Sequence, residues 1–385
     1  MSLTRTLDVA ALLQRKSFFL FGARATGKSH LIREQLAGRA LVIDLLRGDL
    51  SLRLAADPTL LGAMLGDRRG PDVWVVIDEV QKLPSLLDEV HRLIEERGVR
   101  FLLTGSSARK LKRGQANLLA GRAWTAELLP LTWPELPEFD LPRFLRYGGL
   151  PPVVLSPEPD EELRAYVGTY LREEIQAEAL IRRLPQFSRF LASAATTNGQ
   201  MLNFAQIGSD CGVPATTVRE HYLLLEDTLV GFLQPAWTRS RLRKAISTAR
   251  FWFFDTGVAH ALAGTRTLER NSDLWGRSFE HWVGMELRAW LSYRRRDDPL
   301  TYWRSAAQHE VDFIVGDHTA IEVKSTRSVT SRDLRGLAAL AEEGIVRRLF
   351  LVSDDPVEAK RGPIVCLPWR TFIERLWSDD LIGGE

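Results

Sequence analysis

The sequence predicts an α/β chain in three parts: a doubly wound parallel sheet, a largely helical middle, and a second α/β domain at the C-terminus. Three observations carry this. Short apolar runs alternate with amphipathic helical stretches through the first third, the rhythm of parallel strands joined by crossover helices. Proline and glycine then accumulate from Pro130 to Pro159, which marks the end of a domain and an irregular connector. From about Ser272 the pattern runs from helix to two adjoining strands and back to helix.

Taken in order, the strands are expected at Ser17 to Phe21, Ala40 to Leu45, Val73 to Ile77 and Val99 to Thr104, with helices at Ser29 to Ala37 and Pro84 to Arg97. The middle reads as helical from Glu161 to about Leu229. Domains are expected at residues 1–155, 156–265 and 266–385.

Composition narrows the class. With 385 residues, 45% hydrophobic and 26% charged, the chain is not wholly disordered and is long enough for several cores. Apolar runs such as Val73 to Ile77 are too short to span a bilayer. The N-terminus lacks a cleavable secretory pattern. Cys211 and Cys366 have no CxxC or histidine partner, which argues against a disulfide framework or a zinc site. A cytoplasmic protein without a membrane partner is expected. The net charge of +2 announces no partner by itself. Only eight of the 51 basic residues are lysine. Such arginine use reads either as genome composition or as a means of gripping carboxylates and phosphates bidentately. Clusters stand at Arg239, Arg241, Arg243 and Lys244, and at Arg294 to Arg296.

FFLFGARATGKSHL places Gly22, Gly27, Lys28 and Ser29 at the spacing GxxxxGKS, with Ala25, Thr26 and His30 completing the loop. It follows an apolar strand and opens an amphipathic helix, as a phosphate-binding loop requires. Glycines let backbone N–H groups curl around phosphates. Lys28 would reach the β- and γ-phosphates, and the Ser29 hydroxyl would bind magnesium. VWVVIDEVQKLP ends a buried strand in Asp78 and Glu79. Asp78 is expected to hold Mg2+ and Glu79 to orient the attacking water. The next strand ends in Thr104, Gly105, Ser106 and Ser107, where a polar side chain would sense the γ-phosphate. Arg122 reads either as an arginine finger for this or a neighbouring nucleotide, or as one half of a surface salt bridge. ATP and Mg2+ are the expected cofactors.

These residues carry a resemblance. Lys16 to about Pro151, with TGSS, LAGR and PL-W-PE after the GxxxxGKS loop (Walker A) and the Asp78–Glu79 strand end (Walker B), resembles the AAA+ module of a large prokaryotic ATPase family. YLREEIQ, LNFAQIGSDCGVPATTVREHYLLLEDTLV, FWFFDTGVAHAL and EVDFIV…AIEVKS resemble the domain of unknown function that follows it in that family. The resemblance covers nearly the whole chain and implies an oligomer, a hexamer foremost, with nucleotide sites between subunits. It leaves the biological role open.

Asn203 to Leu229 reads as helix, turn, helix, with Gly212 at the turn and Pro214 opening the second helix. Arg219 faces outward beside Thr216, Thr217 and Glu220. The segment that follows is expected to form a wing whose basic tip is Arg239, Arg241, Arg243 and Lys244. DNA is one partner for such a face; a protein contact or a rigid spacer is the other reading.

In the last third, Glu280 lies on an amphipathic helix, Asp312 on a strand, and Glu322 and Lys324 two residues apart on the next strand. Alternation puts Glu322 and Lys324 on one face, where Asp312 can join Glu322 in holding a divalent cation, Mg2+ or Mn2+. This layout resembles the core of the PD-(D/E)XK, restriction-endonuclease-like nucleases, in which an acid of the preceding helix, here Glu280, completes the site. Val311 stands where the named motif has proline. A salt bridge of Lys324 with Glu322 or Asp312 explains the pattern without chemistry. Two functions follow: an ATP-driven DNA-processing enzyme, or a regulatory or scaffold ATPase whose last domain binds without cutting.

Overall fold

The computed structural model describes residues 3–106, 119, 121–170 and 184–382. They fall into two compact units, one built on the chain up to Leu131 together with Leu224–Val230, the other on most of the remainder.

The first unit holds a five-stranded parallel sheet in the order β2-β3-β4-β1-β5, with β1 at Ser17–Phe21, β2 at Ala40–Asp44, β3 at Trp74–Asp78, β4 at Arg100–Gly105 and β5 at Ala123–Glu127. The inner strands are buried on both faces, as crossover helices demand. Between them run the helices Lys28–Leu36 and Leu86–Arg97, and Val75, Ile77, Phe101 and Leu103 join Leu87, Val90 and Leu93 in one core. The edge strand β5 was not foreseen. Its sequence, AWTAE, is half polar and mostly half-buried, so it presents no apolar run.

In the second unit a helical stretch precedes two sheets. The helices Leu184–Thr196 and Phe204–Cys211, and the helix Ala215–Asp227 as far as Leu223, form its middle. Asn203 caps the second of these by accepting from Gln206 N–H, and Gly212 ends it in a left-handed conformation. The short strands β6 (Gly231–Gln234) and β7 (Arg250–Phe253) pair antiparallel. A six-stranded mixed sheet follows, in the order β12-β13-β11-β10-β9-β8. Its strands are β8 (Leu300–Arg304), β9 (Glu310–Val315), β10 (Thr319–Lys324), β11 (Arg348–Ser353), β12 (Ala359–Arg361) and β13 (Ile364–Pro368). β8, β9 and β10 meander antiparallel, whereas β10, β11 and β13 are parallel. The helix Arg335–Ala341 crosses from β10 to β11, and Gly336 sits so close to β9 that a Cβ there would lie 1.9 Å from the Glu310 carbonyl.

The long helix Asp273–Tyr293 is anchored through one buried carboxylate. Glu286 accepts from Trp133 N–H at 2.9 Å, Trp282 Nε1 at 3.1 Å and Trp377 Nε1 at 2.8 Å. Burial nonetheless pushes this carboxyl up to about 8, against the three donors that favour its ionised form.

The basic segment between β6 and β7 departs from the expected projecting wing. It lies along the outer edge of β8. Trp237 N–H donates to Tyr302 O and Ile246 N–H to Arg304 O, while Lys244 O accepts from Ala306 N–H. An open sheet edge offers a row of unpaired backbone groups, and this segment satisfies them.

Candidate functional site

Chemistry-bearing residues gather in two places, one in each unit. In the first, the loop after β1 is shaped by backbone that few residues tolerate. Gly27 has φ of 95° and Ala25 of 66°, left-handed values that aim successive N–H groups into one concavity. A Cβ at Gly22 would lie 2.5 Å from Leu128 O, so the loop's entry requires glycine. Lys28 Nζ folds back on the loop and donates to Gly22 O at 2.8 Å and Ala23 O at 3.2 Å. Thr26 is buried and His30 exposed.

Asp78 ends β3 and is met from both sides. Ser29 Oγ donates to its Oδ2 at 2.8 Å, and the Thr104 hydroxyl from β4 donates to its Oδ1. Thr104 Oγ1 also accepts from Glu79 N–H at 3.1 Å. Glu79 is left-handed, with φ of 61°, a conformation uncommon for a non-glycine residue. Its carboxylate accepts from Gln81 Nε2, which reaches Ser106 Oγ at 3.1 Å. The structure therefore brings Ser29, Asp78, Glu79, Thr104 and Ser106 into one hydrogen-bonded set.

Two residues that hold this site together were not read from the sequence. Gln81 holds Glu79. Buried Arg5 donates to Thr26 O at 2.7 Å and Leu129 O at 2.6 Å, bracing the loop from the N-terminal segment. Arg122 stands elsewhere, half-exposed and paired with Glu95 of the helix Leu86–Arg97. Ser107 and most of the YLREEIQ segment lie outside the described residues.

The second place is a buried cluster of charges. Asp312 from β9 accepts from Val323 N–H at 2.8 Å across the sheet. Lys324 Nζ lies 2.5 Å from Glu322 Oε1, as alternation along β10 requires. Glu280, on the helix Asp273–Tyr293, lies 3.1 Å from Arg250. Burial first, and the neighbouring Asp312 carboxylate second, push both Glu280 and Glu322 upward. Burial works against the charge on Lys324, but Asp312 and Glu322 more than offset it and hold its titration high.

The sequence reading missed Arg250. From the start of β7 its buried guanidinium reaches Glu280, Glu310 and Asp312, the last at 4.0 Å, and lies 4.2 Å above the Tyr302 ring. Nothing local in RFWFF signals this role. Among the described residues, no three His, Cys, Asp or Glu side chains stand close enough to hold a metal ion together. The trio Glu280, Asp312 and Glu322 expected to do so is instead paired with Arg250 and Lys324.

The residues expected to meet DNA divide. Arg219, Arg241 and Lys244 are exposed. Arg239 pairs with Asp317, and Arg243 with Glu342 and Glu343. Glu343 also accepts from Arg241 N–H at 2.6 Å and Leu242 N–H at 2.7 Å. Arg243 is thus committed to the fold, whereas Arg239 stays exposed beside Asp317.

Residues 14–137 match the model of an AAA domain, 138–269 that of a domain of unknown function (DUF8612), and 275–372 that of another (DUF4143). An AAA domain implies ATP and Mg2+ as its ligands. No curated protein matches the chain in sequence. Among solved structures, a Walker-type ATPase of Pyrococcus abyssi is similar at 17% identity and a TM-score of 0.47, covering 66% of this chain and 93% of that one. The Aeropyrum pernix ORC1 protein in complex with DNA is similar at 14% identity and a TM-score of 0.27, covering 66% and 89%. Can2 from Sulfobacillus thermosulfidooxidans, in complex with cyclic tetra-adenylate, is similar at 10% identity and a TM-score of 0.23, covering 95% and 99%. No helix among the described residues is long and apolar enough to cross a membrane.

Proposed function

We propose that the chain hydrolyses ATP and couples the nucleotide cycle to the binding and remodelling of DNA. The observation that carries the first half is the hydrogen-bonded set in which Ser29 and Thr104 both reach Asp78, with Glu79 tied to the same Thr104. Hydroxyl and carboxylate oxygens suit a hard cation such as Mg2+, and Ser29 and Asp78 would hold it. When bound, magnesium neutralises charge on the phosphates. Lys28 exchanges its loop carbonyls for β- and γ-phosphate oxygens. Glu79 orients the attacking water and takes up its proton, while Gln81 and Ser106 fix the carboxylate's position. Thr104 and Ser106 report the state of the γ-phosphate. The working form is a homo-oligomer, a hexamer foremost, in which Arg122 leaves Glu95 and acts on a neighbour's nucleotide.

DNA binding rests on the helix pair Phe204–Cys211 and Ala215–Asp227, whose second helix exposes Thr216, Arg219 and Glu220, with Arg241 and Lys244 adding phosphate contacts. The pair reads as a helix-turn-helix, and β6 and β7 follow it without a projecting wing. Phosphate release measured with and without duplex, single-stranded and branched DNA tests the coupling: stimulation is expected, and DNA-independent turnover would refute it.

For the last domain we read a restriction-endonuclease-like core built from the helix Asp273–Tyr293 and β8 to β11. Its carboxylates suit a divalent cation by donor chemistry. Glu322 Oε2 is buried without a hydrogen-bond partner among the described residues, so one oxygen is available to a ligand. Asp312, Glu322 and Glu280 would hold Mg2+ or Mn2+, and Lys324 would stabilise charge on a phosphodiester. A bound metal ion would supply charge neutralisation and an activated water. A second reading, a regulatory or scaffold ATPase that binds DNA or protein without cutting, draws on the Arg250 guanidinium lodged among those acids. Incubation with linear, single-stranded and branched DNA and Mn2+ separates the two.

A further inference from the structure

The acids of the C-terminal cluster already hold a cation, and it belongs to the protein. Arg250 is 4% exposed. One nitrogen lies 3.1 Å from Glu280 and 4.0 Å from Asp312, and the other meets Glu310. Tyr302 supports the guanidinium from below, and Arg304 shares Glu310 at 3.2 Å. Charges can be counted: Glu280, Glu310, Asp312 and Glu322 against Arg250, Arg304 and Lys324 leave one negative charge unmatched when all are ionised. Two polar atoms at the cluster, Arg250 Nε and Glu322 Oε2, are buried without partners among the described residues. Both are costly to leave so, and neither can satisfy the other where they stand.

We propose that Arg250 is a built-in counter-cation that competes with a divalent metal ion for Glu280 and Asp312, so that the metal ion enters only as the guanidinium gives up these two carboxylates. This rests on the cation-site reading given above. The physical ground is that a positive charge within 3 to 4 Å of a carboxylate, in a buried setting, lowers its attraction for a second cation far more than in water. The rigid planar fork of Arg250 engages three acids from fixed directions, a geometry that a point-like ammonium on a flexible stem does not hold. Lys324, by contrast, sits on the Glu322 side and leaves that residue's second oxygen open.

Mn2+ binding to the nucleotide-free full chain, followed by the electron paramagnetic resonance of the free ion, tests this without any turnover. The part of the binding lost in Asp312→Asn reports this site. Arg250→Gln and Arg250→Met are expected to bind at that site at least ten-fold more tightly than the parent protein, and Arg250→Lys a few-fold more tightly. If the neutral variants fail to fold, Arg250→Lys alone decides, since it keeps the charge but not the fork. Affinity in the folded variants that is equal to or weaker than the parent's overturns the role of Arg250 while leaving the cation site standing. If Asp312→Asn removes no bound Mn2+ in any background, the cation site itself falls, and the proposal with it.

Discussion

Ser29 Oγ donates to Asp78 Oδ2 at 2.8 Å, joining residues 49 apart in sequence. The bond ties the first turn of the helix Lys28–Leu36 to the end of β3, linking directly the loop and the strand end that we propose to hold nucleotide. Lys28 beside it is buried on loop carbonyls.

Lys28→Ala is expected to weaken ATP binding by roughly thirty-fold, the equivalent of about 2 kcal/mol for a lost charge-assisted contact. Titration with a fluorescent ATP analogue measures it. An affinity within two-fold of the parent protein would remove Lys28 from the site.

Glu79→Gln is expected to keep ATP affinity and lose turnover by on the order of 100-fold or more, because the water loses its proton acceptor. Gln81→Ala releases the partner of Glu79 and is expected to reduce turnover less, with binding again unchanged. Single-turnover phosphate release separates the two. Full activity in Glu79→Gln would reassign the base.

Salt dependence distinguishes the basic residues. Each phosphate contact contributes about 0.9 to the slope of log affinity against log salt on duplex DNA. Replacing exposed Arg219, Arg241 and Lys244 with alanine is expected to flatten the slope. Arg243→Ala, whose side chain is held by Glu342, Glu343 and the Ala339 carbonyl, is expected to leave it nearly unchanged. The reverse order would show that the β6–β7 segment leaves the β8 edge when DNA binds.

Glu286→Leu leaves the N–H groups of Trp133, Trp282 and Trp377 without an acceptor. A loss of about 3 kcal/mol or more is expected, at 1 kcal/mol or more for each unpaired buried donor. Glu286→Gln should recover part of it. The urea midpoint of the C-terminal unfolding transition reads both.

Acid should weaken the same unit through two histidines. His281 accepts from Asn198 Nδ2 at 3.1 Å and donates to Phe253 O at 2.6 Å, which fixes its neutral tautomer. Burial pushes His281 down to about 3 and His260 to about 4. Unfolded imidazoles titrate near 6.5. Between 6.5 and 4 the unfolded chain therefore binds protons that the folded chain refuses. Their contribution is fully present above 6.5 and is lost as pH falls. Asp255 and Glu286, pushed up by burial to about 6 and about 8, act with the opposite sign: each costs stability as pH rises. The difference between the parent protein and His281→Gln isolates one imidazole. It should shrink on acidification by up to about 1.4 kcal/mol per pH unit. A pH-independent difference would refute the assignment.

What was legible in the sequence is what backbone geometry alone determines. A phosphate-binding loop needs glycines at set spacings between a strand and a helix. Gly22, Gly27, Lys28 and Ser29 state that requirement within eight residues, and Asp78 and Glu79 do so at one strand end. Alternation along β10 likewise places Glu322 and Lys324 together without reference to any other element. Arg5, Gln81 and Arg250 were not legible, because nothing in their neighbours specifies their partners. Arg250 lies 62 residues before Asp312 and meets it only because β7 and β9 come together in the folded unit. The basic segment after β6 reads as a projecting tip until the open edge of β8 accepts its backbone. Local spacing decides which chemistry a loop or strand can present. Which charges a buried group must neutralise is decided by the strands that pack around it, and only the tertiary structure supplies that.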